Sequence, residues 1–520
     1  MPARHSLVTR ALILLAAGAC LVALLWLIRR APESHPFADS ATTSIYTLRV
    51  VNGDLATGAY SRFHWNHPGP LLYQILAPLY AMSGRHEMSL KWTMLLLNIT
   101  VLAALLLYLR RRSPWLSATA ALALLPLLFF EQRLLFWAWN PVAPLLSLAL
   151  AVALAAGVCA GDLAALPWLC VVVSFLVQSH VGLAPVSLLL AGAAVASALW
   201  RTCRSGVAAD HRALTRALAI SAVVAAVLWA VPLIHDLGAQ TGNLADIARF
   251  FVTHHERHAW PEATRVFANE LVAGFNPARE LITGDMPVSA TAATRAWAAV
   301  QLLLLAIASA WSYRRGRAFD AAFALLCLLA SLTGLFAIRS IVGDISDYLV
   351  IWVGIIGILN VAALLAVVGR TWHAWAITPA FDLRSRAAIA VFVATVTLMG
   401  AMRLWSKQQM DARDVTLPRL AVALGDYCDQ RGLVRPIVTF DWKIWRAGTG
   451  LILQFYKSDR AVAVADDVRY VFGEPFARTS RETAEFYLMA TEDTAMPTGV
   501  TRFTWITTVS GYRLGRVFRD

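Results

Sequence analysis

The 520-residue chain is 58% hydrophobic and only 15% charged, too apolar for a soluble protein of this length. Its repeated apolar runs of roughly 17–22 residues mark a polytopic α-helical membrane protein. The formal charge of +13 does not point to nucleic acid, because the arginines gather at the ends of apolar runs, as in Arg110–Arg112, Arg201 with Arg204, and Arg314 with Arg315 and Arg317. The six cysteines are scattered and give neither a zinc-ligand spacing nor a disulfide framework.

The first apolar run, 11–28, follows Arg4 and Arg10 as a signal peptide would. It lacks a small-residue cleavage site and is followed by Arg29 and Arg30, so it reads as an uncleaved first span. Further spans are expected at 88–109, 115–130, 141–158, 163–177, 183–200, 217–234, 296–313, 319–338, 348–368 and 387–403, about eleven in all. With the N-terminus in the cytoplasm, alternation puts the basic clusters 110–112, 201–216, 314–317 and 370–386 inside. Only Arg29 and Arg30 disagree.

The stretch YSRFHWNHPGPLLYQILAPLYAMSG, residues 60–84, carries Pro68, Pro70 and Pro78. Counting it as a span would turn every later basic cluster outward. It is therefore expected to be a juxtamembrane or re-entrant helix on the external side. The membrane core is assigned to 1–403, with a first external loop at 29–87 and a second at 235–295 holding short amphipathic helices. Residues 404–520 are expected to form a small external α/β domain. Its helices are read at 417–430 and 480–489. Its strands are read in PIVTF, LILQFY, AVAVA, VRYVFG, RFTWITTV and YRLGRVF.

The first loop holds the richest set of reactive side chains. Asp39 precedes SATTSIYTLRVV and fits a helix cap, while Asp54 in NGD is turn chemistry. Tyr60, Arg62, His64, Asn66 and His67 crowd the front of the proline-punctuated segment. Gln178 and His180 close the fifth span. His235 and Asp236 stand where the seventh emerges, Asn140 precedes Pro141, and Arg339 ends the ninth. His254 and His258 would share a helical face, too few ligands for a metal. AGTGLILQ lacks the lysine and strand context of a phosphate loop.

An aspartate shortly after the first span, then a helix, then His67-Pro68-Gly69-Pro70 running into an apolar helix that ends at Gly84, resembles the GT-C class of membrane glycosyltransferases. The class includes the protein O-mannosyltransferases and the aminoarabinose lipid A transferases. The resemblance implies a sugar donor carried on polyprenyl phosphate and transfer at the outer face of a bacterial cytoplasmic membrane. It also implies Asp39 as catalytic base and His67 in place of the family's Lys or His. The chain departs from the pattern in two ways. Ser40 stands where Glu often follows the Asp, and Asn140 stands where many members have a second Asp. A divalent cation would lack its second carboxylate, so no cofactor is assigned.

The expected function is transfer of a sugar, with inversion, from a polyprenyl-phosphate donor to an envelope glycan, lipid or protein. Asp39 would be the base. His67, Arg62 and protonated or polar neighbours would face the donor phosphate and substrate. That neighbourhood comprises His64, Asn66, Tyr60, His180, Asn140 and Arg339, with Asp236 as the alternative base. The rival readings are a flippase for a lipid-linked saccharide and a non-catalytic scaffold. A flippase would show polar or broken segments in the middle of several spans, and these spans read as clean.

Overall fold

The computed structural model describes residue 15 and residues 18–238, 242–275, 290–373, 385–482, 484–493 and 500–518. Among them, seven helices are long and apolar enough to cross a membrane: Met88–Arg112, Val181–Ser205, Ala208–Gly238, Ala292–Arg314, Ala318–Arg339, Trp352–Thr371 and Arg386–Asp411. The expectation of about eleven is corrected by this. Three expected spans form shorter helices, Pro114–Phe130, Leu145–Cys159 and Leu163–Ser179, and most of the first half of the run at 11–28 lies outside the described residues.

Local chemistry explains the shortening. Pro141 and Pro144 hold their segment in turns, so the helix begins only at Leu145. After Phe130 the chain passes through Glu131 into a 3-10 turn, Gln132–Leu135. The helix Leu145–Cys159 is buried along almost its whole length, which marks it as a packed core element. Leu71–Met82 is helical, with Pro78 inside it. Twelve residues at 1.5 Å each are too few to cross the hydrocarbon core.

The chain divides into two compact units. One holds Met1–Leu55, Tyr73–Thr93 and Leu404–Asp520, the other Ala56–Leu72 and Met94–Arg403. In the second, Trp260–Ala273 packs on Trp352–His373. The approach is close because a Cβ on Gly357 would lie 1.8 Å from the Leu271 carbonyl oxygen, the kind of small-residue contact that membrane helices use. Asn360 donates to Ser331 Oγ at 3.0 Å beside Gln301, all three fully buried. The spans are thus less clean than expected. These groups meet inside the packing, sealed from solvent, with Gln301 Nε2 and Asn360 Oδ1 left without a hydrogen-bond partner.

The first unit carries a five-stranded sheet. Its strands are β1 (Ile437–Phe440), β2 (Ala463–Val464), β3 (Glu485–Ala490), β4 (Arg502–Val509) and β5 (Tyr512–Phe518), in the order β2-β1-β3-β5-β4. β1 runs parallel to β2 and β3, whereas β5 is antiparallel to β3 and β4. Three expectations fail here. LILQFY lies in the helix Trp445–Lys457, VRYVFG forms the short helix Arg469–Phe472, and the helix expected at 480–489 gives way to β3. In β3 the buried side chains Phe486 and Leu488 alternate with half-buried ones, a strand period rather than a helical one.

Within the same unit, Lys457 Nζ lies 2.8 Å from Glu33 and 2.9 Å from Glu87, and His86 Nε2 lies 2.9 Å from Glu33. Ser44 donates to Glu87 at 2.6 Å. Burial acts to raise the Glu33 pKa, but the His86 hydrogen bond and the Lys457 charge outweigh it and hold the carboxyl at about 2. Burial likewise acts against the Lys457 charge, and the two carboxylates reverse that, raising its pKa.

Because Glu33 titrates lower in the folded state, its contribution is complete above the ordinary carboxyl value of 4.5 and is lost as pH falls toward about 2. Thermal unfolding in neutral detergent is expected to show a falling melting temperature across that window. Lys457→Met, which leaves Glu87 buried and unpaired, is expected to cost about 3 kcal/mol at pH 7. An unchanged melting temperature in that variant would remove the network from the stabilising interactions of this unit.

Candidate functional site

The segment SRFHWN folds as a tight hairpin. Tyr60 and Asn66 form an antiparallel bridge, Ser61 N donates to Trp65 O at 2.8 Å, and His64 N donates to Ser61 O at 3.1 Å. His64 sits exposed at the tip with φ 66°, a left-handed conformation in which His is enriched. Below the bridge, Gly58 N donates to His67 O at 2.8 Å and His67 N to Ala59 O at 2.7 Å. A Cβ on Gly58 would lie 2.8 Å from His67 Cβ and 2.9 Å from the Gly69 carbonyl oxygen, so only glycine lets the two arms close.

Three side-chain joins tie this hairpin to other loops of its unit. His67 Nδ1 accepts from Val181 N–H at 3.1 Å, and its ring lies 4.7 Å from that of His180. His180 Nδ1 in turn accepts from Gly182 N–H at 3.2 Å, and Asn140 donates to Ser179 O at 3.3 Å. The second join is Asn243, which accepts from Asn66 N–H at 2.8 Å and donates to Asn66 O at 2.9 Å. The third is Arg62, whose Nη2 donates to the Val342 and Asp344 carbonyls at 2.6 and 2.9 Å. Trp65 completes the centre, packed with Ile247 and Phe250.

The electrostatics of this centre differ from those expected. Burial, and then the neighbouring His180 ring, pushes His67 well below the usual imidazole range. Burial brings His180 down to about 4. Both rings are neutral at pH 7. Since Nδ1 of His67 accepts, its proton sits on Nε2. The protonated histidine that would pair with a phosphate is absent, and the cation of the group is Arg62. Its Nε and Nη1 hydrogens are not used in the two bonds to the loop.

Other expected residues take structural parts. Asp236 accepts from Leu244 N–H at 3.0 Å and so caps the helix Asn243–Thr253. That duty occupies the alternative base. Residues 254–259 lie between two helices, so His254 and His258 share no helical face. His254 stacks on Phe250, while His258 bonds Glu262 and the Gly343 carbonyl, each at 3.0 Å. No group of metal-ligating side chains occurs among the described residues. The Arg339 guanidinium lies 4.4 Å from the Trp260 ring, and its carbonyl accepts from His258 N–H. Asp54, just past the Gly53 C-cap, bonds Arg49 at 2.8 Å.

Asp39 belongs to the other unit. It lies in the first turn of Ala38–Asn52, whose N-cap is Phe37, so it is not the cap itself. It is half-buried, and its carbonyl accepts the hydroxyls of Thr42 and Thr43. Burial, then Tyr46 and then the Asp39 charge, raises the Tyr73 hydroxyl well above its usual range, which places that carboxylate near Tyr73. The residues that sequence reasoning missed are Asn243, Glu256 and the loop at 342–344. Only Asn243 carried a signal, as a polar residue before LADIARFF at a helix start.

Neither a family model nor a curated protein matches the chain. The crystal structure of ArnT from Cupriavidus metallidurans bound to undecaprenyl phosphate superposes with a TM-score of 0.50 and 12% identity, over 96% of this chain and 98% of that one. The chain thus shares the fold of that structure, in keeping with the resemblance to the GT-C class. At this identity the likeness extends to the fold, including the strand-containing C-terminal region, and leaves individual side chains to be judged on their own surroundings.

Gly58→Ala is expected to cost about 2 kcal/mol, the usual scale for overpacking against fixed backbone. Thermal unfolding in detergent reads the loss, and limited proteolysis should show cleavage near residues 60–66. A melting temperature equal to the parent's would mean that the arms open without penalty.

Proposed function

We propose that the chain is an integral membrane glycosyltransferase that takes a sugar from a polyprenyl-phosphate carrier. The observation that carries this reading is the GT-C fold shared along 96% of the chain with a protein crystallised with undecaprenyl phosphate. The acceptor is an envelope glycan, lipid or protein. In the proposed reaction an acceptor hydroxyl oxygen bonds to the sugar C1 as the bond from C1 to the phosphate oxygen breaks. Asp39 takes the hydroxyl proton, and the polyprenyl phosphate leaves with the bonding pair, so the configuration at C1 inverts.

Asp39 stands in the first turn of Ala38–Asn52, where backbone amides favour an anion. Arg62 is the group we assign to the donor phosphate, because guanidinium N–H groups form charge-assisted bonds to phosphate oxygens. His67 acts by position: its neutral ring holds the 180–182 turn against the hairpin. His64, Asn66 and Tyr60 define the rim and arm of the same hairpin. Asn140 and His180 hold the neighbouring turn, and Arg339 is assigned to the bordering loop. We further propose a cytoplasmic N-terminus and an external C-terminal domain, from the arginine distribution.

Asp39→Asn keeps shape and most hydrogen bonding while removing the basic oxygen. Turnover should fall by roughly two to four powers of ten, with donor affinity little changed. The assay is transfer of labelled sugar from polyprenyl phosphate by purified protein. Near-normal transfer by a folded Asp39→Asn variant would sink the base assignment. Arg62→Ala should weaken donor binding more than His67→Gln does, and the reverse order would return the phosphate to His67.

A further inference from the structure

A second polar centre lies at the opposite ends of the helices, where the sequence gathers its arginines. Between Ala292–Arg314, Ala318–Arg339 and Trp352–His373 is a narrow cleft, open in part to the exterior, with a cavity volume of about 10 Å³. Its polar lining is Ser312, Arg317, Asp320 and Arg370, and its walls include Leu116 and Phe323. Arg370 pairs with Asp320 and donates to Ser113 Oγ. One carboxylate thus faces two guanidiniums, and the lining keeps an excess of positive charge.

Three features point to an anionic occupant. Arg370 Nε is buried with no hydrogen-bond partner, an uncompensated donor in a low-dielectric setting. The Ser312 side chain, 2% exposed, lines the cavity, and its hydroxyl donates to no neighbour among the described residues. Arg317 is the N-cap residue of Ala318–Arg339, so a guanidinium stands at a helix end that itself favours an anion. Nearby, Trp311 and Tyr313 are exposed, with the Arg315 guanidinium 4.6 Å from the Trp311 ring. Aromatic and basic side chains together mark lipid headgroup depth.

We propose that the open mouth of this cleft binds the phosphate of an anionic phospholipid headgroup, with Arg317 and Arg370 as its cationic partners and Ser312 as a hydroxyl donor. The apolar wall accepts the first part of an acyl chain, as in basic pockets between membrane helices. Free phosphate presents the same oxygens, and the apolar wall is what favours the lipid. The site stands apart from the proposed transfer chemistry, so its fate does not decide that reading.

The test is thermal unfolding of the full chain in neutral detergent, titrated with short-chain phosphatidylglycerol, phosphatidylcholine or inorganic phosphate. Phosphatidylglycerol should raise the melting temperature saturably, and the other two should do so weakly. Arg317→Ala leaves the Arg370–Asp320 pair intact and should raise the half-saturating lipid concentration by about tenfold, the loss of one charge-assisted contact. Arg317→Gln serves if the alanine variant does not fold. Arg204→Ala, at an exposed arginine in the last turn of Val181–Ser205, should leave the titration unchanged. Equal stabilisation by phosphatidylcholine, an unchanged Arg317→Ala titration, or an equal loss in Arg204→Ala would overturn the site. Equal stabilisation by inorganic phosphate would overturn the lipid as its source.

Discussion

The interaction on which the hairpin at 60–66 depends is a neutral imidazole accepting a backbone N–H. His67 Nδ1 takes the amide hydrogen of Val181, and it can do so only while unprotonated. A charged ring would present a second donor to that amide, beside a second buried imidazole 4.7 Å away. Burial therefore selects the tautomer, the tautomer selects the partner, and the partner fixes where the arm from Gly58 to Gly69 lies. The position that first invites a phosphate-binding role is occupied by a residue whose geometry excludes the charge such a role needs.

The same constraint explains why so many polar side chains crowd the start of a greasy segment. Irregular backbone at a membrane boundary leaves N–H and C=O groups without helical partners, and each costs free energy if buried unpaired. Asn243 answers both backbone groups of Asn66. Arg62 answers two carbonyls of the loop at 342–344, and Glu256 answers the Gly343 N–H. Much of what looks like a binding constellation is the internal satisfaction of three loops. What that satisfaction leaves over in this hairpin includes the rest of the Arg62 guanidinium.

Much of the architecture was legible because lipid makes composition informative. The long spans, the short non-spanning helix Leu71–Met82 and the turn at 52–54 all follow from apolar length, proline and turn chemistry. Helix ends near Pro141 and Glu131 were not legible, since a hydropathy window averages across a turn. LILQFY was read as a strand because its β-branched and aromatic content is the same in either period. Only the neighbours Ala447, Leu451 and Phe455, buried at helical spacing, distinguish the two. The joins through Val181, Asn243 and Gly343 are non-local, and a single sequence carries no record of them.

The carboxylates of the first loop show how far local surroundings discriminate. Asp54 is bound to Arg49, and Glu33 is bound to His86 and Lys457, which holds it at about 2. A carboxylate stabilised that strongly in its charged form is a poor proton acceptor, since every interaction that favours the anion must weaken when the proton arrives. Asp39 sits half-buried in the first turn of its helix, close to the Tyr73 hydroxyl. Asp39 is the carboxylate to which the proposed proton transfer is assigned.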